Sequence, residues 1–212
     1  MSERVAVAVL AKAPVAGFAK TRLIPLLGGE RAAVLQARLT ARAVATACAA
    51  AVGPVTLWAA PDESHPAFQA LGAQHGIALA CQVDGDLGAR MLAAVAAAGP
   101  CLVIGTDCPS LTTEHVRNAA DILRSGSDVV IIPADDGGYV LIGMRKAQPA
   151  LFSDMPWSTP GVMDETRRRL RQLGLAWQEP ATLWDVDVPE DLARLREVGL
   201  QDLIPTGEQQ PQ

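Results

Sequence analysis

Residues 5–22 read VAVAVLAKAPVAGFAKTR, in which an apolar run of strand length is followed at once by a cationic, turn-forming loop. The run 5–10 predicts a buried strand. The loop 11–22 is compatible with a solvated surface turn. Its place between a strand and a helix favours a second interpretation, in which the loop binds phosphate.

Positive charge is concentrated around this loop. The first 42 residues hold seven of the 18 basic side chains and two of the 23 acidic ones, although the whole chain has a net charge of −5. Two of the three lysines, Lys12 and Lys20, lie in the loop. An acidic chain with one basic loop argues against nucleic acid as a main partner, because a phosphate backbone needs a broader basic face. Small phosphorylated ligands remain compatible.

The composition predicts one compact unit, since 212 residues with 50% hydrophobic content can bury one sizeable core. No apolar run approaches the roughly 20 residues that span a bilayer, so we expect no membrane span and a cytoplasmic protein. The four cysteines form no CxxC pair and have no histidine at zinc-ligand spacing. They predict free thiols in a reducing compartment.

Strands and helices are predicted to alternate along the first part of the chain. Apolar runs predict strands at 5–10, 55–60, 77–83, 101–105 and 129–133. Helical patterns lie between them at 30–52, 66–74, 86–98 and 113–124. This alternation, with strands apolar on both faces, predicts a three-layer α/β fold with a mostly parallel central sheet. Ligands of such sheets lie outside the carboxyl ends of the strands.

The regular alternation stops after residue 133. The following part predicts a short run at 139–144, an irregular stretch to Pro160, a helix at 160–173, a strand at 175–179 and a last helix from Pro189. We interpret it as an acceptor-side α+β segment of the same sheet. The tail 205–212 has almost no apolar content and predicts disorder.

Two familiar phosphate-binding patterns are absent from the first loop. The P-loop pattern GxxxxGK[ST] would align with residues 14–21, where proline and alanine replace both glycines. The dinucleotide pattern GxGxxG does not follow the first strand. What remains is an open loop in which Gly17 permits the turn and Lys20 and Arg22 bind phosphate oxygens.

Two aspartates are candidate metal ligands. Asp107 follows the apolar strand 101–105, where it either bonds the turn or holds a divalent ion for a nucleotide's phosphates. Asp187 precedes the last helix, and either it or Asp185 can simply cap that helix. If Asp187 approaches Asp107 in the fold, the two carboxylates form a Mg²⁺ site.

Two further segments have both a structural and a functional interpretation, and a run of arginines has a structural one. The cluster 135–139 is either a turn or the wall of a pocket for a polar acceptor, with Tyr139 as a contact. The turn 84–90 places Arg90 where it can reach phosphate, and Gln82 before it can read a nucleobase edge. The arginines at 167–171 predict a solvated helix face.

Six motifs follow one another along the chain: AKAPVAGFAKTRL at 11–23, GDLGARM at 85–91, IGTDCPSL at 104–111, DDGGYVLIGM at 135–144, PWST at 156–159 and DVDVPEDL at 185–192. Together, and in this order, they resemble the nucleotide-diphospho-sugar transferase superfamily of GT-A fold, and in detail the DUF2064 group of candidate glycosyltransferases. That group is related to 2-phospho-lactate and molybdenum-cofactor guanylyltransferases.

The resemblance implies a GT-A-like, Rossmann-like domain over 1–204, with a nucleotide-binding half at 1–110 and an acceptor half at 111–204. The implied nucleotide-binding residues are Ala11, Lys12, Gly17, Lys20, Arg22, Gln82, Gly85, Gly88, Arg90 and Thr106. The implied acceptor residues are Asp135, Asp136, Gly137, Gly138, Tyr139 and Trp157. Asp107 and Asp187 would bind Mg²⁺ or Mn²⁺, and the implied catalytic residues are Lys20, Asp107 and Asp136.

Two departures from the group matter. Val188 stands where relatives have threonine, which shifts the predicted capping of the last helix onto Asp187. The glycosyltransferase DxD motif is incomplete, because Asp107 is the only carboxylate in 106–108. Three functions therefore stay open, namely glycosyl transfer from a nucleotide sugar, nucleotidyl transfer from an NTP to a phosphorylated acceptor, and nucleotide binding without turnover.

Overall fold

The computed structural model describes residues 3–206, and its centre is one seven-stranded sheet. The strands are β1 (Ala6–Lys12), β2 (Val55–Ala60), β3 (Ala78–Cys81), β4 (Cys101–Ile104), β5 (Val129–Pro133), β6 (Tyr139–Met144) and β7 (Trp177–Gln178). Their order across the sheet is β3-β2-β1-β4-β6-β5-β7, and every neighbouring pair is parallel except the two that involve β6. The predicted α/β class with a mostly parallel sheet is confirmed.

Helices cover both faces of the sheet. They are α1 (Ile24–Leu27), α2 (Gly29–Ala50), α3 (Pro66–His75), α4 (Leu87–Ala98), α5 (Thr113–Arg124), α6 (Pro149–Phe152), α7 (Val162–Gln172) and α8 (Pro189–Glu197). Successive residues of β4 show the two layers, because Leu102 packs with the α2 and α5 side while Val103 packs with the α4 and α7 side. Strands buried on both faces explain the continuous apolar runs in the sequence.

A third hydrophobic cluster fixes the C-terminal segment. Trp184, Val186 and Leu192 pack against Leu35 and Leu39 of α2. This packing carries the acidic residues beside Val186 from the end of the chain to the start of α2. The predicted start of the last helix at Pro189 is confirmed.

Some predicted boundaries were wrong. The first strand continues to Lys12, so the first two residues of the predicted loop belong to β1. The strand predicted at 77–83 is only Ala78–Cys81, because it lies at the sheet edge and pairs with β2 alone. The strand predicted at 175–179 is reduced to Trp177–Gln178. Apolar patterning marks burial, whereas strand length also depends on a neighbour to pair with.

Two other expectations concern features outside the sheet. All four cysteines are free thiols, as predicted. Within residues 3–206 none of the helices combines the length and apolar character that crossing a membrane requires. Most of the predicted tail, residues 207–212, lies outside the described residues.

Candidate active site

The site lies where the neighbouring strands β1 and β4 end. Val9 is paired with Ile104, so the loops that follow the two strands leave the sheet side by side. The C-terminal segment joins them, because the Val186 amide donates a hydrogen bond to the Asp107 carbonyl oxygen at 2.8 Å. Three segments that are distant in sequence therefore meet at one carboxyl edge, the position expected for ligands of an open α/β sheet.

Lys20 is the centre of this meeting point. Its side chain is only 3% exposed, and its Nζ lies 2.6 Å from Asp107 Oδ1. The same ammonium donates to the Val186 carbonyl oxygen at 2.6 Å and lies 3.8 Å from Asp187 Oδ1. The Lys20 backbone is left-handed, with φ of 47°. The sequence predicted that this lysine binds phosphate, but in the structure its ammonium lies beside the carboxylates of the two predicted metal ligands.

Arg22 completes the ion-pair network. Its guanidinium lies 2.7 Å from Asp187 Oδ2 and is 67% exposed. Asp187 therefore lies between a buried and an exposed cation. The expected approach of Asp107 and Asp187 does occur, and Lys20 bridges them.

The expectation that Asp187 takes over the capping of the last helix was wrong. Asp191, in the first turn of α8, reaches back with its Oδ2 to accept hydrogen bonds from the amides of Asp187 and Val188, each at 2.8 Å. A carboxylate three residues into a helix can satisfy free amides at its start. The Asp187 carboxylate is thereby left to its two cations.

Asp185 is a site residue that sequence reasoning considered only as a cap. Its Oδ1 is buried and finds no hydrogen-bond partner within residues 3–206. Burial raises the pKa of Asp185 to about 7, and repulsion from the carboxylates of Asp136 and Asp107 adds to the shift. The spacing to Asp187 was a usable signal, because alternate residues of an extended segment face the same side. The buried Val186 lies between them.

Thr106 positions Asp107 rather than lining an open surface. It is 6% exposed, and its Oγ1 accepts a hydrogen bond from the Gln36 amide of α2 at 2.9 Å. The hydroxyl in turn lies 3.4 Å from Asp107 Oδ1. A buried amide thus fixes the hydroxyl next to the candidate metal ligand.

Gln82 is a second polar side chain that is held by hydrogen bonds within the protein. Its Nε2 donates to the carbonyl oxygens of Ala11 at 3.0 Å and Trp58 at 2.8 Å, and its Oε1 accepts from Arg90 at 3.4 Å. An amide has only two hydrogens. Both are used inside the protein, so Gln82 ties β1 to β2 and has no hydrogen left for a nucleobase.

Arg90 is a cation without an acidic partner in the described part of the chain. Its Nε is buried and makes no hydrogen bond there. The turn before α4 contains Gly85, whose φ is 115°. A Cβ on Gly88, in the first turn of α4, would lie 2.7 Å from the Phe152 Cβ, so the start of α4 packs directly on α6. Lys12, at the end of β1, and Gly17, in the loop after it, are exposed.

Two of the predicted acceptor residues, Tyr139 and Trp157, are in contact. The rings of Tyr139 and Trp157 meet edge to face with centroids 6.3 Å apart. The Trp157 Nε1 donates to Asp86 Oδ2 at 3.0 Å, which links the segment that carries Trp157 to the turn 84–90. Burial raises the pKa of Tyr139, so its hydroxyl stays protonated.

The two aspartates of the 135–139 turn differ in their contacts. Asp135 lies 2.8 Å from the Arg194 guanidinium of α8. Asp136 is exposed, and its Oδ1 accepts from the Gly138 amide at 2.9 Å. The negative charge of Asp136 helps to raise the pKa of Asp185, which links Asp136 electrostatically to the carboxylate cluster.

The carboxylates fit a divalent cation of the magnesium type. Across the residues that the structure describes, no three His, Cys, Asp or Glu side chains form a ligand group for one metal ion. Magnesium does not require such a group, because it takes one or two carboxylates and completes its shell with water and substrate phosphates. Asp107 and Asp187 supply two carboxylates around a stand-in cation, the Lys20 ammonium. The unpartnered Asp185 oxygen is a further oxygen beside them.

Comparison with known proteins identifies the family of the chain. The family model described as "Uncharacterized protein conserved in bacteria (DUF2064)" matches residues 43–159. The chain belongs to the DUF2064 family. The family match includes Asp107 and the 135–139 turn, while Lys20 and Asp187 lie outside it. No curated protein matches the sequence.

Several solved structures are similar along nearly the whole chain. A candidate nucleotide-diphospho-sugar transferase from Desulfovibrio desulfuricans is 26% identical with a TM-score of 0.80, covering 96% of this chain and 94% of that one. A nucleotidyl transferase from Methanothermobacter thermautotrophicus is 18% identical with a TM-score of 0.57, covering 94% and 100%. A manganese complex of Rv0371c from Mycobacterium tuberculosis is 20% identical with a TM-score of 0.51, covering 93% and 100%. The last two show the fold alone, and the DUF2064 chain shares it.

Proposed function

We propose that the protein is a divalent-metal-dependent transferase that uses a nucleotide-activated donor, in the manner of the nucleotide-diphospho-sugar transferases. The observation that carries the proposal is the convergence of Lys20, Asp107 and Asp187 at the carboxyl ends of β1 and β4. Carboxylates that hold a cation beside a basic loop suit the phosphates of a nucleotide. The similarity to the Desulfovibrio protein supports the same kind of activity.

The donor phosphates would lie between the first loop and the turn before α4. Lys12 and Arg22 are exposed on one side, and Arg90 stands on the other without an acidic partner in the described part of the chain. Arginine and lysine form charge-assisted hydrogen bonds with phosphate oxygens. Gln82 would act indirectly, by holding Arg90 and the end of β1 in place.

Asp107 and Asp187 would hold the Mg²⁺ or Mn²⁺ ion. A bound divalent ion would neutralise the negative charge that develops on the leaving phosphates. Lys20 contributes a further positive charge at the same edge. The chain's own part is mainly positioning and electrostatic stabilisation in a site that is built before the substrate arrives.

The acceptor would bind against the wall formed by Tyr139 and Trp157. Asp136 is exposed at the turn that begins this wall and is held by its bond to the Gly138 amide. For glycosyl transfer it is the candidate base that takes the proton of the acceptor hydroxyl. The Tyr139 hydroxyl itself is buried, so this residue would contribute its ring rather than its hydroxyl to the wall.

Nucleotidyl transfer is a second candidate, and the cationic first loop favours it. Lys12, Lys20 and Arg22 suit the higher charge of a triphosphate. In that reaction an acceptor phosphate attacks the α-phosphorus of an NTP and pyrophosphate leaves. Lys20 and Arg22 would then lie on the pyrophosphate side.

A thermal-shift panel of NTPs and nucleotide sugars, each with and without Mg²⁺, separates the candidates. Stabilisation by a nucleotide sugar that depends on Mg²⁺ supports glycosyl transfer, and stabilisation by an NTP alone supports nucleotidyl transfer. Asp107→Asn should abolish the Mg²⁺-dependent part, while the same change at the exposed Asp202 should not. Silence from the whole panel would remove the proposal.

The non-catalytic alternative is tested with the same variants. A binding module without turnover requires nucleotide binding that Asp107→Asn leaves intact, and no product with any acceptor. The transferase requires that Arg22→Ala weaken donor binding by about 1.5–3 kcal/mol, the range for hydrogen bonds to charged groups. Unchanged affinity would make the loop a surface turn.

A further inference from the structure

The Lys20 ammonium occupies the place of a bound cation. It lies 2.6 Å from Asp107 Oδ1, 2.6 Å from the Val186 carbonyl oxygen and 3.8 Å from Asp187 Oδ1. Two carboxylates and a carbonyl are also the oxygen types that a hard divalent ion accepts. The same atoms therefore suit either cation.

We propose that Lys20 and the divalent ion compete for the carboxylates of Asp107 and Asp187, so that the ion binds tightly only when Lys20 has turned away. This inference rests on the proposed function. The phosphates of a bound donor offer the ammonium a second set of anionic oxygens. Metal binding and donor binding are coupled in this way, because Lys20 leaves the carboxylates and binds phosphate.

Coulomb repulsion is the first reason. The ammonium contacts the oxygen that would ligate the metal, and charges of the same sign at such separations repel. The Lys20 side chain is 3% exposed, so solvent screens the ammonium less than it screens the Asp107 and Asp187 side chains, which are 43% and 48% exposed. Placing both cations at contact distance on Asp107 Oδ1 is therefore unfavourable.

The second reason is that Lys20 is suited to exchange. A lysine carries a point charge on a flexible stem of four carbons, and its ammonium accepts any arrangement of oxygens. Arg22 provides the contrast, because it binds the other Asp187 oxygen from the exposed side. It can stay in place when the inner position changes occupant.

The charge balance points the same way. Asp107 and Asp187 bring two carboxylates to the site, and Lys20 and Arg22 are the two cations paired with them. Departure of Lys20 leaves the carboxylates with one exposed arginine. That excess of negative charge favours a doubly charged ion over water.

The test is a Mn²⁺ titration of the full chain without nucleotide, followed by electron paramagnetic resonance of free Mn²⁺. Lys20→Met keeps the length of the side chain and removes its charge, so Mn²⁺ should bind about tenfold tighter or more. Arg22→Met removes one charge from the same network at the exposed position. We expect it to change the affinity about threefold at most, because solvent screens that site.

Two results would overturn the competition. One is Mn²⁺ binding to Lys20→Met that is no tighter than to the wild type. The other is an equal gain in Arg22→Met, which would reduce the effect to net charge. Circular dichroism checks that both variants are folded.

A measurement on the unaltered protein keeps the test decisive if Lys20→Met does not fold. The chain has three lysines, Lys12, Lys20 and Lys146. In ¹⁵N-lysine NMR the buried, hydrogen-bonded ammonium of Lys20 should exchange its protons slowly enough to be seen. Addition of Mg²⁺ should abolish or shift that signal, and an unchanged signal at saturating Mg²⁺ would refute the exchange of cations.

The two proposals can fail separately. Tighter Mn²⁺ binding by Lys20→Met with no response in the nucleotide panel would overturn the proposed function and retain the competition. A positive nucleotide panel with unchanged Mn²⁺ affinity would do the reverse.

Discussion

Gly137 and Gly138 are neighbours in the acceptor turn, yet substitution by alanine should affect them very differently. Gly137 has φ of +92°, and a Cβ on it would lie 2.2 Å from the Pro160 carbonyl oxygen and 2.8 Å from the Pro160 carbonyl carbon. A Cβ on Gly138 would meet only Asp136 Oδ1, at 3.2 Å. The first contact is with backbone and cannot be relieved by a rotamer change. The second involves the end of a side chain that can move.

The magnitude for Gly137→Ala has two contributions. A left-handed backbone costs a residue with a Cβ about 1–2 kcal/mol. Overpacking against an atom that cannot move without the backbone adds about 1–3 kcal/mol. We therefore expect a loss of about 3 kcal/mol in the free energy of unfolding, which for a chain of this size lowers Tm by about 6–12 °C. For Gly138→Ala we expect less than about 1 kcal/mol.

The clash also has a functional consequence. Pro160 ends the loop that carries Trp157, and the Met163 amide donates to the Gly137 carbonyl oxygen at 2.8 Å. Displacement of this loop should move Trp157 away from Tyr139 and weaken acceptor binding. Gly138→Ala should leave that wall in place.

Equilibrium urea unfolding of the wild type and both variants, followed by far-ultraviolet circular dichroism, measures the difference. The transition midpoint should fall in Gly137→Ala with an unchanged m-value. If the two variants unfold within about 0.5 kcal/mol of one another, the close approach of Gly137 to Pro160 is not the constraint described above.

Three further changes test other parts of the site and its frame. Asp86→Ala should cost about 1–2 kcal/mol in thermal or urea unfolding, because the carboxylate caps α4 and holds Trp157; stability equal to the wild type would contradict this. Gln82→Ala should cost about 1–3 kcal/mol in the same assay by leaving strand carbonyls unpaired, and a neutral result would return Gln82 to a ligand-reading role. The pKa of Glu165 is lowered to about 2 by its bonds to Arg168 and Arg169, so its contribution is present above pH 4.5 and is lost as the pH falls toward 2. Glu165→Gln should therefore lower Tm at pH 7 and not at pH 2, and an equal loss at both would exclude the ion pair as the cause.

The fold was predictable because its signals are local and repeated. The interior strands β1, β4 and β5 are apolar runs that are almost entirely buried, whichever neighbour each pairs with. The antiparallel insertion of β6 between β4 and β5 was not predictable from these runs. Burial on two faces does not record the direction of a strand. The shortened β3 and β7 follow from their places at the sheet edges.

The site was predictable in its location and less so in its contacts. Carboxyl ends of parallel strands share an edge, so an acid after β4 and a basic loop after β1 had to lie near one another. Sequence could not show that Asp191 would cap α8 and release Asp187. Nor could it show that Gln82 would donate both of its amide hydrogens to carbonyl oxygens of the strands. Those outcomes depend on which partner is nearest after folding.

The charge of the first loop shows most clearly what a local pattern leaves out. The excess of basic residues there is real in sequence, but Lys20 is paired with Asp107 and Asp187, and Arg22 with Asp187, acids that lie far away along the chain. For the proposed donor, the basic groups that remain are therefore Lys12 and Arg90, together with the part of Arg22 that stays exposed. Since an ion pair must be broken before Lys20 can bind phosphate, its contribution to donor affinity should be smaller than its charge implies when the metal is absent. It should grow when Mg²⁺ takes over the carboxylates, because the ammonium is then free to bind phosphate.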